Sequence, residues 1–276
     1  MTMTSTPSQT RGRGFAFPPK IMTVLRPVIT IGLLLGLWEI AARTGMINDF
    51  LFPPPSVIFL NLFQSIGQPS GGILMDIFSS TYRLLVGVGL ALVFGTLIGL
   101  AIGLTRWGRF VFRPIISAIM PIPTLAWTPI LLLVFGIDDK TTITVVFIAT
   151  TFEIIYNVVT GLEMMTRKVY WVASSMGASR IQMLRFVIIP GVLPYLVTGL
   201  KLGTGYAWRA LIAAEMLAAS SHGLGFKIFD AQEYMDMPSI YGGIIVISVM
   251  GLLIERVAIG TIEAHTINKW GINVER

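Results

Sequence analysis

Residues 84–105, LLVGVGLALVFGTLIGLAIGLT, contain no charged side chain. At about 1.5 Å of rise per residue, a helix of this length crosses the roughly 30 Å of hydrocarbon in a bilayer. Residues 114–137, PIISAIMPIPTLAWTPILLLVFGI, form a second uncharged run of the same kind. Less pure apolar segments at 25–43, 141–162, 191–217 and 240–261 bring the expected number of transmembrane helices to six. The chain is 54% hydrophobic and only 12% charged, which is not the makeup of a soluble domain. The expected fold is therefore all-α, a polytopic membrane helical bundle. One membrane domain at 25–262 lies between an N-terminal tail at 1–24, with a short interfacial element at 15–20, and a C-terminal tail at 263–276.

The placement of charge orients the helices. No Lys or Arg occurs between Arg43 and Arg83, although Asp49 and Asp76 fall in that interval. Arg11, Arg13, Lys20 and Arg26 lie on one side of a six-span arrangement. So do Arg106, Arg109 and Arg113, then Arg167, Lys168, Arg180 and Arg185, then Arg256, Lys269 and Arg276. The positive-inside rule makes that side cytoplasmic, with both termini and the 163–190 loop. Segments 44–82, 138–140 and 218–239 then face outward. The net charge of +6 is read as membrane orientation, and no nucleic-acid partner is expected. The first two dozen residues, rich in Ser, Thr, Pro and Arg, hold no apolar core of signal-peptide length, so no cleaved signal is expected.

Catalytic equipment is sparse. There is no cysteine, which removes thiolate metal sites and thiol nucleophiles. No G-x-x-x-x-G-K-[ST] phosphate loop is present. The two histidines, His222 and His265, are too far apart in the topology to share a metal, and no nucleophile, base and orienting group can be assembled. The chain is not expected to be an enzyme by itself or to bind a cofactor or metal. Energy for transport would come from an ion gradient or from a partner.

Ionisable groups within the apolar segments are functional candidates because a charge in hydrocarbon costs several kcal/mol unless it meets a cavity or a counter-charge. Counting along the helices puts Lys201 where it would snorkel to the inner surface, Glu153 near mid-depth, Arg209 toward the outer half and Glu215 as a helix-end carboxylate near outer water. Arg209 and Glu153 come within about 6 Å in height by the same count. Two readings stay open. Arg209 recognises an anion with its guanidinium fork, or it pairs with Glu153 and fixes the packing of two helices. Pro114, Pro121, Pro123 and Pro129 predict a kinked third span lining a pathway, with Thr124, Trp127 and Thr128 as the polar and aromatic groups such a kink would expose. Gly95, Gly99 and Gly103, spaced every four residues, predict close helix packing.

The segment 171–190, WVASSMGASRIQMLRFVIIP, is polar and basic, with a central glycine suited to a sharp turn between short helices and a proline suited to starting the next helix. It resembles the cytoplasmic loop of ABC importer permeases, Glu-Ala-Ala, three residues, Gly, nine residues, Ile-x-Leu-Pro. Ala173, Gly177, Val187, Ile189 and Pro190 fall on or near that pattern, while Trp171 and Val172 stand where the family has Glu and Ala. FPPPS at 52–56, PIPTLAWTPILLLVFGI at 121–137 and GLKLGTGYAWRALIAAEMLAASSHGLG at 199–225 are similar to further family segments in the same order. Over nearly all of 25–270 the chain resembles the permease subunits of type I ABC importers, in the nitrate, sulfonate, taurine and bicarbonate branch.

That resemblance implies a bacterial inner-membrane protein that pairs with a second copy of itself. It also implies two ATP-binding cassette ATPase subunits, which carry ATP and Mg, and an extracytoplasmic substrate-binding protein that delivers a small anion. Trp171, Val172, Ala173, Met176, Gly177, Ala178, Arg180 and Pro190 would form the ATPase-coupling loop. Arg209, Glu153, Thr124, Trp127, Thr128 and Glu215 are the candidates for the solute pathway. A secondary transporter driven by ions is the alternative, and would favour an inverted repeat and an acidic relay that the sequence does not display. A membrane enzyme would need His, Asp or Glu clustered at one depth.

Overall fold

The computed structural model describes residues 19–68, 72–219 and 221–260. The expected C-terminal tail at 263–276, and residues 1–18 of the N-terminal tail with most of its interfacial element, lie outside the described residues. The chain divides into two compact units, 1–57 and 58–276. All regular elements among the described residues are helical.

In the first unit, α1 (Pro19–Arg43) is 25 residues long and contains the expected first span. Its C-terminal turn is clamped to the Pro-Ser element. Glu39 Oε2 accepts the Ser56 backbone N–H at 3.0 Å, Ser56 Oγ donates to Glu39 Oε1 at 2.8 Å, and an Arg43 guanidinium N–H reaches Ser56 Oγ at 3.1 Å. Ser56 thereby secures the start of α2 (Pro55–Ile66), whose first residue is the last of three consecutive prolines, a position that needs no backbone donor.

The second unit is organised by three long helices: α3 (Gly72–Gly103), α6 (Asp139–Met164) and α9 (Ile189–Ala218). The glycine stripe of α3 lies against α6. A Cβ on Gly95 would stand 3.0 Å from Ile154, one on Gly99 would stand 2.9 Å from Val158, and one on Gly103 would overlap Leu162. Each four-residue step on α3 meets a four-residue step on α6, so the two helices run parallel. On a neighbouring face of α6, Gly199 sits beside the Glu153 carbonyl and Ile154, and Gly203 beside Thr150, so α9 runs antiparallel to α6. The small residues let backbones approach closely, which is how helices associate where no hydrophobic effect drives them together.

Between α3 and α6 the chain does not form one kinked span. α4 (Arg106–Ile119) carries Pro114 within it, the chain turns at 120–123, a short 3-10 turn follows at Thr124–Trp127, and α5 (Thr128–Phe135) leaves at 92°. Pro121 and Pro123 remove two backbone donors within three residues, enough to break a helix outright, while Pro129 sits in the first turn of α5, where no donor is needed. Among the described residues, four helices are long and apolar enough to cross a membrane, or five if the bent pair is one span. The sixth expected span is α1, whose 25 residues reach about 37 Å but include Arg26, Glu39 and Arg43.

At one end of this unit a buried ion network ties the long helices together. Arg83 on α3 is 2% exposed and Glu215 on α9 is 0% exposed. An Arg83 guanidinium N–H donates to Glu215 Oε1 at 2.7 Å, and its Nε donates to Asp139 Oδ1 at 2.9 Å at the start of α6. Ser80 Oγ donates to Glu215 at 2.8 Å. Glu215 and Ser80, joined by Asp76, also hold the turn into α10 (Leu224–Glu233): the backbone N–H groups of Gly223, Leu224 and Gly225 donate to Asp76 at 2.9 Å, Ser80 at 2.9 Å and Glu215 at 3.0 Å. Three donors at a helix start, which have no partner within the helix, are thus satisfied by side chains of α3 and α9. Gly223 has φ +149°, and a Cβ there would meet Arg83 at 2.6 Å. A Cβ on Gly225 would overlap the Ile212 carbonyl. The Gly-Leu-Gly sequence is required by this packing.

Two sequence expectations change here. Glu215 is enclosed by the protein instead of standing at water. α3 begins at Gly72, well before Leu84, because Asp76, Ser80 and Arg83 occupy its buried face. Unpairing one partner of a buried ion pair costs about 3–5 kcal/mol, whereas replacing both by apolar groups of similar volume is often neutral. Glu215→Ala should therefore lower the thermal unfolding midpoint of the purified protein by several degrees, and Arg83→Met combined with Glu215→Leu should recover much of the loss. Unfolding of Glu215→Ala at the wild-type temperature would show that the pair does not hold the fold.

Candidate functional site

The 92° turn between α4 and α5 opens a cavity of about 640 Å3. Its walls come from three places. The turn contributes 119–125 and Trp127, α6 contributes Ile148, Ala149, Phe152 and Glu153, and α9 contributes Tyr206, Arg209, Ala210 and Ala213. The break exposes this surface because residues 120–123 are not helical. The small side chains Ala149, Ala210 and Ala213 leave room for the cavity between helices that elsewhere touch closely.

Of the six residues singled out from the sequence, Thr124, Trp127, Glu153 and Arg209 line the cavity. Thr128 is fully buried among neighbouring side chains, and Glu215 belongs to the ion network. Arg209 and Glu153 form no ion pair in this structure. Counting from the apolar boundaries brought them to similar heights, but the helix register is set by glycine contacts. The Glu153 carbonyl lies beside Gly199, and Arg209 is ten residues further along α9, about 15 Å. Both side chains line one cavity, and no ion pair or hydrogen bond to either charged group is found among the described residues.

At the opposite end of α9 from Glu215 lies an elbow. α7 (Arg167–Ser175) ends in a turn where the Gly177 N–H donates to the Ser174 carbonyl at 3.0 Å and the Ala178 N–H to the Ala173 carbonyl at 3.1 Å. These are the two bonds of a Schellman motif, and they place Gly177 at φ +76°, a conformation that disfavours any side chain. The next helix, α8 (Arg180–Met183), starts at once. Ser179 Oγ accepts the Gln182 N–H at 3.3 Å, and Gln182 Oε1 accepts the Ser179 N–H at 2.8 Å, a complete capping box. Trp171, Val172, Met176 and Ile181 are all at least 60% exposed around this turn, Arg180 is exposed, and Ala173 and Ala178 are half-buried. At the base of α7, the Tyr170 hydroxyl donates to Met165 Sδ at 3.6 Å, and burial pushes its phenol above the usual range, so it keeps its proton.

Pro190 does not start a separate helix. The chain is helical without a break over Arg180–Ala218, 39 residues, with a π turn at Leu184–Ile188 just before the proline. A wider turn accommodates a residue with no N–H to return to the preceding carbonyls. One rod thus joins the elbow, the cavity and the ion network. α4 is anchored to α6 and α3: Arg113 pairs with Glu163 at the end of α6, and Arg109 donates to the Gly103 carbonyl. The sequence reading missed Asp76, Ser80, Arg83 and Asp139. The pairing of an interior Arg with the Glu of a Glu-Met-Leu-Ala run before Gly-Leu-Gly was the available signal, but no local pattern shows that they meet. Among the described residues, no group of three or more His, Asp or Glu side chains converges to hold a metal.

Comparison with known proteins agrees with this architecture. The model of the family described as binding-protein-dependent transport system inner membrane component matches residues 87–259. The taurine transport system permease protein TauC of Escherichia coli (strain K12) is 33% identical over 230 residues, covering 82% of this chain and 83% of that protein. The nitrate import permease protein NrtB of Synechocystis sp. is 31% identical, covering 88% of each. The putative aliphatic sulfonates transport permease protein SsuC of Bacillus subtilis (strain 168) is 27% identical, covering 84% of this chain and 83% of that protein. Repeated apolar helices, a broken span, an exposed elbow after α6 and these relatives lead to one assignment: the chain is a multi-pass inner-membrane protein that belongs to the binding-protein-dependent transport family, as the permease subunit of a type I ABC importer.

Proposed function

We propose that the chain forms half of the pathway of an ATP-driven importer for a small anionic solute and works by alternating access. The observation that carries this reading is the continuous 39-residue helix Arg180–Ala218. It begins in an exposed apolar elbow, bears Arg209 in the cavity and ends at Glu215 in the buried network. A push on the elbow is therefore delivered along a stiff element to the solute and to the far end.

In this reading the 163–190 region and both termini face the cytoplasm, and α10 faces outward. Trp171, Val172, Ala173, Met176, Gly177, Ala178, Arg180 and Pro190 belong to the segment gripped by an ATP-binding cassette ATPase, which supplies the nucleotide site and its Mg. Apolar side chains exposed on a short rigid helix suit a cleft in a partner. Trp171, in place of an acidic residue, makes that contact one of shape and burial instead of charge. A second copy of the chain completes the pathway, and a substrate-binding protein delivers solute from outside. The relatives named for taurine, nitrate and aliphatic sulfonates support an anion. Arg209 is suited to receive it, since a guanidinium stays charged when partly dehydrated and presents parallel donors.

Two outcomes are expected. Gly177→Val forces a β-branched residue into φ +76°, where side chains are strained by about 1–2 kcal/mol per residue. Although no atom would clash, the turn should shift, and solute moved per ATP hydrolysed in proteoliposomes should fall. Undiminished coupling would remove the elbow from the mechanism. Arg209→Leu should leave the complex with its ATPase intact and lower apparent solute affinity about ten- to hundredfold, the worth of a charge-assisted hydrogen bond. Equal uptake curves for variant and wild type would exclude Arg209 from the pathway.

A further inference from the structure

α4 carries three arginines, and the protein uses two of them. Arg109 donates to the Gly103 carbonyl at the end of α3, and Arg113 pairs with Glu163 at the end of α6. Arg106 is exposed and has no hydrogen bond or ion pair among the described residues. No Asp or Glu occurs from residue 77 to 137, so no acidic neighbour in the chain neutralises it. On the same face of the helix stand Trp107 and Phe110, 78% and 77% exposed. Their rings meet edge to face with centroids 6.5 Å apart. Together the three side chains line an open groove of about 450 Å3. The groove has a fixed support. Thr105 Oγ1 accepts the Gly108 N–H at 3.0 Å, and a Cβ on Gly108 would overlap the Ile102 carbonyl, so the start of α4 is packed against the end of α3.

We propose that this groove binds an anionic phospholipid of the inner leaflet, with Arg106 on the headgroup phosphate and Trp107 and Phe110 against the glycerol and the first acyl carbons. In the orientation proposed above, on which the choice of leaflet rests, the turn between α3 and α4 lies at the cytoplasmic boundary of the membrane. Charge and shape select this occupant. A guanidinium presents parallel donors to phosphate oxygens, and an indole is at home where headgroups meet hydrocarbon. A free phosphate ion would leave the Trp107 and Phe110 faces bare, and a purely apolar partner would desolvate Arg106 without a counter-charge. α4 ends at the break that opens the cavity, and the charge of Arg109 lies close enough to act on the Tyr170 hydroxyl. A lipid held at Arg106 thus braces the helix that runs from the base of the elbow to the cavity wall.

The test uses the permease assembled with its ATPase, purified in mild detergent and titrated with phosphatidylglycerol or phosphatidylcholine of identical acyl chains. Bound lipid is counted by native mass spectrometry. The wild type should hold its tightest phosphatidylglycerol about fivefold more strongly than phosphatidylcholine, whose own cation offsets the phosphate; this is the worth of one arginine at an anionic headgroup. Arg106→Gln should abolish that preference, Arg106→Lys should keep most of it, and Trp107→Ala should weaken both lipids. Lys168→Gln, which removes another exposed cation, should change neither. Equal retention of the two lipids by the wild type, or an equal loss in Lys168→Gln, reduces the groove to general surface charge and overturns the proposal. Displacement of phosphatidylglycerol by inorganic phosphate at matched concentration shows a soluble-anion site and overturns it as well. Loss of the ATPase from Arg106→Gln with the lipid count unchanged assigns this face to a protein partner, with the same consequence. The leaflet is read separately. In this cysteine-free chain, Leu104→Cys should react with a membrane-impermeant maleimide only in inside-out vesicles. Reaction from the outside overturns the orientation of the chain and the inner-leaflet assignment together, whereas the lipid preference is measured in detergent without regard to side.

Discussion

The interaction on which the second unit depends is the buried pair of Arg83 and Glu215. Both are almost wholly removed from solvent, and each would be ruinous there alone. Their stability comes from full satisfaction: Arg83 reaches two carboxylates, and Glu215 accepts from Arg83, Ser80 and the Gly225 backbone. Because donors and acceptors come from α3, α6, α9 and the start of α10, the network fixes four elements at one point. It also accounts for sequence far from itself. Gly223 and Gly225 have no side chain because the guanidinium and the Ile212 carbonyl occupy that space.

From that anchor the rest follows along one rod. The helix Arg180–Ala218 is held near one end at Glu215 and carries the exposed turn around Gly177 at the other. Its hydrogen-bond pattern changes at the π turn at Leu184–Ile188, next to Pro190. The cavity lies between this π turn and the anchor, beside the broken helix of α4 and α5. One wall of the cavity belongs to a rod tied at its end, and another to a segment already bent.

Much of this was legible in the residues. Apolar length predicted the spans and Gly177 between polar helical stretches predicted the turn, whereas the four prolines predicted a kink in the third segment where the structure has a break. The Gly95, Gly99 and Gly103 stripe predicted a close contact, though not that α6 would supply the other side. Thr124, Trp127, Glu153 and Arg209 were singled out as pathway candidates, and they share one cavity. Arg83 was not read this way. A charge next to an apolar run marks a membrane boundary when its partner is unknown, and that partner lies on another helix far along the chain. Thr128 and Glu215 were misplaced for the same reason: spacing gives the face of a helix but not what covers that face.

What the sequence by itself determined is a chain that crosses the membrane several times, departs from a straight helix at the prolines of its third apolar segment and turns sharply at Gly177. These properties are local sums of hydropathy, backbone conformation and missing donors, so they can be read residue by residue. Only the tertiary structure decided that Arg83 meets Glu215 and that Arg209 stands apart from Glu153. Such meetings depend on the register between helices. Register is set by how close the backbones can come at Gly199, Gly203 and the α3 stripe, a matter of volumes contributed by two distant segments at once.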